Sequence, residues 1–147
     1  NAFKKINQPI IFTKHVHTKY QMNGQMAKWW DGKLPMEGDK NSEIIDELSA
    51  KQNGLIISKS KYSAFEGTDL DKHLKKISIT HTIICGVMTN LCVETTARHA
   101  FMKDFQPIII SDACTTKDKA YHDAAILNLS YGFANIRTTK DIMDSIQ

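Results

Sequence analysis

Apolar residues in this chain fall into short unbroken runs, separated by longer stretches in which they recur every three or four positions. The runs at 9–13 (around Ile10, Ile11 and Phe12), 55–58 (Leu55, Ile56, Ile57), 82–85 (Ile83, Ile84, Cys85) and 107–110 (Ile108, Ile109, Ile110) are short and rich in β-branched residues. They predict strands, and 135–137 predicts a short last one. The helical period predicts helices over 42–48, 69–77, 91–105 and 117–131. Residues 1–7 read as the tail of a helix. Strands that are apolar throughout and alternate with helices predict an α/β fold, a mostly parallel Rossmann-like sheet covered on both faces in three α/β/α layers. The crossovers should be right-handed. No repeat, low-complexity tract or linker divides the chain, which predicts a single domain over 1–147.

Residues 14–41 break this rhythm. They carry His15, His17, Trp29 and Trp30 and read as a long excursion, a lid or binding loop. In open parallel sheets ligands bind beyond the carboxyl ends of the strands. That rule selects His15 and His17, residues 59–65, residues 88–92 and residues 111–115. One of these segments is Ile84-Cys85-Gly86-Val87-Met88-Thr89-Asn90-Leu91-Cys92, which reads as strand, tight turn and helix start. The unpaired N–H groups of a helix start carry partial positive charge, and a thiol held there ionises more easily to the nucleophilic thiolate. Two readings of Cys92 stand on this ground, a nucleophile or a small residue packing its helix. Lys59, at another strand end, is either a cation assisting that thiol or a solvated loop lysine.

Composition narrows the classes without choosing among them. The chain has 147 residues, 41% hydrophobic and 24% charged, as in ordinary globular domains. Its net charge of +3 is spread along the chain, which does not point to nucleic acid. No apolar run is long enough to span a bilayer, no secretory leader is visible, and no membrane partner is expected. Three cysteines without metal-type spacing predict a reduced, cytoplasmic protein, with Cys85 a buried strand residue and Cys114 in a loop.

The stretch from Lys59-Ser60-Lys61-Tyr62-Ser63-Ala64-Phe65 to Asp69-Leu70 resembles the lysine motif of the isochorismatase-like cysteine hydrolases. That family includes nicotinamidases and carbamoylsarcosine amidohydrolases. Gly86-Val87-Met88-Thr89-Asn90-Leu91-Cys92-Val93, followed by Thr95-Thr96-Ala97, resembles the nucleophile motif, and Ser111-Asp112-Ala113 matches a later segment. The resemblance implies that Cys92 is the nucleophile and Lys59 the triad lysine, with Lys61 solvated. It also implies a cis peptide bond before Met88 and an oxyanion hole made by the N–H groups of Met88 and Cys92. The family's third triad member is an aspartate ending a first strand that this chain does not contain. The chain, which begins at Asn1 rather than Met, is therefore expected to be an N-terminally truncated fragment lacking the first strand.

The resemblance implies hydrolysis of a small amide or ureide C–N bond through a thioester. Two alternatives are a catalytically inactive binding or scaffold protein and a vinyl-ether hydrolase of the isochorismatase type. Metal-dependent members of the family use an Asp and a His two residues apart, plus a further His. Here the pair is His15 and His17, which alternate on one face of a strand, with the carboxylate replaced and no third ligand evident. No metal and no cofactor are therefore expected, and His17 is read as lining a pocket. Trp29 and Trp30 either cap the substrate or pack a subunit interface, and Phe65 forms another wall. His99 and His122 need no catalytic role. The family implies a homo-oligomer, a dimer or tetramer.

Overall fold

A computed structural model describes residues 2–22 and 24–146. In chain order its elements are α1 (Ala2–Lys5), β1 (Ile11–His15), α2 (Gln25–Trp29), α3 (Ala50–Asn53), β2 (Leu55–Lys59), α4 (Leu70–Lys76), β3 (His81–Val87), α5 (Glu94–Met102), β4 (Gln106–Thr115), α6 (Lys119–Gly132), β5 (Asn135–Arg137) and α7 (Thr139–Ser145). The chain folds as two compact units, residues 1–61 with 66–68, and residues 62–65 with 69–147. Every strand pair is parallel, as predicted. Among the described residues no helix is long and apolar enough to cross a membrane.

In the first unit β1 pairs with β2 from Ile11↔Leu55 to His15↔Lys59. Gly54 makes this close pairing possible, because a Cβ there would lie 2.2 Å from the carbonyl oxygen of Ile10. That same oxygen accepts the N–H of Leu55 at 3.1 Å. The strand begins and ends two residues later than its apolar run, so His15 is its last residue and does not lie beyond its end. The helix expected over 42–48 is absent. Two 3₁₀ turns, Lys40–Ser42 and Asp46–Leu48, stand there instead. A stretch this short needs packing to offset the cost of helix nucleation. Ile45 and Leu48 are exposed, so no packing makes up the difference.

The second unit holds the strands in the order β3-β4-β5. Its core gathers Val93 and Ala97, Ile109 and Cys114, and Leu129, with Ile84, Ile126, Phe133 and Ile136 packed against them. Ala97 and Ala100 are fully buried on α5; their small side chains let the helix backbone lie close to the sheet. α6 starts at Asp118, whose Oδ1 accepts the N–H of Ala120 at 3.1 Å. α7 starts with a reciprocal cap in which Thr138 N–H donates to Asp141 Oδ2 at 2.7 Å and Asp141 N–H to Thr138 Oγ1 at 3.2 Å.

Three expectations are corrected here. β4 runs ten residues and contains Ser111 to Thr115, which were expected to follow it. Cys114 is thus a buried strand residue and not a loop residue. Cys85 is exposed, because β3 alternates exposed and half-buried positions.

Candidate functional site

The second unit builds a turn around Cys92 from the end of β3. The Val87–Met88 peptide bond is cis, at the position the resemblance implies. A single wide π-type turn, Thr89–Val93, follows and leads directly into α5. The carbonyl of Met88 accepts the N–H groups of Leu91 at 3.1 Å and Val93 at 3.2 Å, which closes the turn. Val93 anchors it in the core and Thr89 is fully buried. Thr89 Oγ1 lies 3.0 Å from His122 Nδ1, and Thr116 Oγ1 donates to Asn90 Oδ1 at 2.7 Å. Cys92 is partly buried, between the exposed Cys85 and the buried Cys114. Burial pushes the Cys114 thiol up to about 11, so it stays protonated and inert at neutral pH.

Residues 62–65 belong to the same unit and are tied to α5. Ala64 N–H donates to Thr96 Oγ1 at 3.0 Å, and Ser63 Oγ lies 2.8 Å from His99 Nδ1. Phe65 is buried. Its ring centroid is 5.5 Å from that of His99 and 5.7 Å from that of Phe105, on which it stacks. Phe65, read from sequence as a pocket wall, is thus packed between aromatic neighbours, and His99 is a packing residue.

The first unit gathers a cationic and imidazole cluster where β1 and β2 end. His15 and Lys59 are register partners, and His15 Nε2 lies 2.8 Å from His17 Nε2. His17 is held by its backbone, its N–H donating to Pro35 O at 2.8 Å and its carbonyl accepting Glu37 N–H at 2.9 Å. Lys59 is buried, and its Nζ donates to the carbonyl of Lys61 at 2.8 Å. Burial, reinforced by the Lys59 and His17 charges, pulls His15 from 6.5 down to about 4. Burial, then Lys61 and Lys59, also lowers His17. Both rings are therefore neutral at pH 7, and one Nε2 carries the proton that the other accepts. His17 Nδ1 is buried with no hydrogen-bond partner among the described residues. Trp29 is 72% exposed and Trp30 37%; both lie at the end of α2.

The family's metal-dependent members make it necessary to ask whether this donor set suits a divalent ion. Among the described residues no three His, Cys, Asp or Glu side chains converge on one point, whereas catalytic zinc takes three protein ligands. The two imidazoles bond to each other, and the neighbouring charges are lysines. Among the described residues this donor set does not fit a metal.

The profile of the isochorismatase domain matches residues 1–141. Nicotinamidase 3 of Arabidopsis thaliana is 39% identical over 133 residues, 89% of this chain and 67% of that protein. The ureidoacrylate amidohydrolase RutB of Acinetobacter baylyi is 32% identical over 117 residues, 79% of this chain and 48% of that protein. The crystal structure of a cysteine hydrolase from Pseudomonas syringae superposes with a TM-score of 0.92 at 24% identity, covering 99% of this chain and 75% of the other; it speaks for the fold. The domain match, the parallel α/β architecture and the cysteine turn agree, and the chain belongs to the isochorismatase family.

Proposed function

We propose that this chain carries the nucleophile of an amidohydrolase that cleaves a small amide or ureide C–N bond through a thioester on Cys92. The observation that carries the reading is the turn after β3. Cys92 belongs to the turn Thr89–Val93 that leads into α5, in a family whose relatives include a nicotinamidase and a ureidoacrylate amidohydrolase. In the first step Cys92 Sγ bonds to the substrate carbonyl carbon, and the C=O electron pair moves onto oxygen. The N–H groups of Met88 and Cys92 stabilise that oxyanion. The C–N bond then breaks with its electron pair on nitrogen, which takes up a proton and leaves as ammonia or an amine. Water adds to the thioester, the C–S bond breaks, and the acid departs with the thiol restored.

The resemblance makes Lys59 the triad lysine, a cation of the kind that favours a thiolate. The general base that exchanges protons is, on this reading, the family's aspartate. His17, Trp29 and Trp30 of the first unit are the substrate contacts we propose, whereas Phe65 is packed against His99 and Phe105. The domain is taken to extend over 1–147 of a cytoplasmic homo-oligomer, where Cys92 would stay reduced.

Mass spectrometry of the full-length protein mixed with small primary amides and ureides tests the mechanism. An acyl adduct on Cys92, lost together with turnover in Cys92→Ala, is the expected result. If no adduct forms and Cys92→Ala hydrolyses as fast as wild type, the mechanism fails.

A further inference from the structure

Consecutive residues of the cysteine turn are gripped from different places. Thr89, fully buried, meets His122 of α6 at 3.0 Å, and Asn90 meets Thr116, just past β4, at 2.7 Å. Val93 is fixed in the core. Of these three anchors only the His122–Thr89 contact joins two polar groups at a fully buried position beside Met88, whose N–H is one of the proposed oxyanion donors. Moving Thr89 moves Met88 with it, because the two share a peptide bond. A hydroxyl buried in this way has no water to replace a lost partner, so removing either member leaves the other unsatisfied.

We infer that His122 is a positioning residue for the reaction: acting through Thr89, it sets the backbone donors and Cys92 in register with the substrate carbonyl. The inference rests on the reading of Cys92 as nucleophile. It differs from a role in packing alone, because Ala125 and Leu129 already bury the inner face of α6. The imidazole contributes a directed hydrogen bond to one hydroxyl.

The test uses full-length protein carrying Thr89→Val, Thr89→Ser, His122→Leu and His122→Asn, and the double variant Thr89→Val/His122→Leu. Val keeps the shape of Thr and removes the hydroxyl. Asn places a polar atom near the position of Nδ1, and Leu does not. Misplacing a reacting group by about 1 Å costs on the order of a hundredfold in rate. Thr89→Val and His122→Leu should therefore lower kcat by roughly tenfold to a hundredfold with KM within about threefold. Ser and Asn should restore most of the loss, and the double variant should be no slower than the worse single one.

Two readouts need no amide substrate. One is the rate of Cys92 alkylation by iodoacetamide, mapped by peptide mass. The other is hydrogen exchange at 88–93. Both should change in the Val and Leu variants and recover in Ser and Asn. Unchanged alkylation and exchange in Thr89→Val and His122→Leu overturn the inference, as does an Asn variant no better than Leu. Altered alkylation with no amide hydrolysis by wild type supports the positioning role and counts against the amidohydrolase reading instead.

Discussion

Acidification from pH 7 to pH 5 should loosen the β1–β2 pair through His15. The folded protein holds this imidazole at about 4 against 6.5 when unfolded. Between those values the unfolded chain binds the proton and the folded one does not, so stability rises with pH across the window. It is fully present above 6.5 and is lost progressively toward 4. One such group would cost about 1.8 kcal/mol on going from pH 7 to pH 5, from linkage at about 1.36 kcal/mol per pKa unit. His15 is only partly buried, and solvent screening reduces this to about 1 kcal/mol. His17, lowered for the same first cause, acts in the same direction and adds to the total. Urea unfolding of the full-length protein at both pH values, wild type beside His15→Gln, measures the effect; the variant should lose about 1 kcal/mol less than wild type on acidification. Histidine ring resonances followed by NMR give a direct check. A His15 ring that titrates near 6.5, or a variant whose pH sensitivity equals that of wild type, refutes the reasoning.

Gly54→Ala should destabilise by roughly 1–3 kcal/mol in urea unfolding, since the new Cβ would lie 2.2 Å from a backbone oxygen that cannot rotate away. Gly132→Ala, where a Cβ meets nothing within 4 Å, is the control and should show no such loss. Leu129→Ala, at a fully buried position in the core of the second unit, should cost about 2–5 kcal/mol by the same measurement.

The sequence placed most elements well where one rule decided them. The last strand, 135–137, coincides with β5, and 69–77 and 117–131 lie within a residue or two of α4 and α6. The errors in the strand ends share a cause, since a run of apolar residues marks where a strand is buried and not where its hydrogen bonding stops. β4 continues through polar residues that find partners from distant sequence. Ser111 Oγ donates to Arg137 O at 3.2 Å, and Asp112 Oδ1 accepts Thr139 N–H at 2.7 Å. No local pattern contains those bonds. The alternation of His15 and His17 suggests two rings facing one ligand; the rings instead meet each other at 2.8 Å, and their neutral state depends on burial and on Lys59 and Lys61. His122 read as an unremarkable helix residue because its partner Thr89 is 33 positions away.

The outward side of β3 has a consequence for handling the protein. Ile83, at 39% exposure, and Val87, at 65%, flank the exposed Cys85 on a strand that is at the sheet edge among the described residues. An apolar strand at a sheet edge is a template on which other chains can add strands. At high protein concentration, self-association through added β-pairing would compete with the native state. A single lysine in place of Ile83 would act as a gatekeeper there.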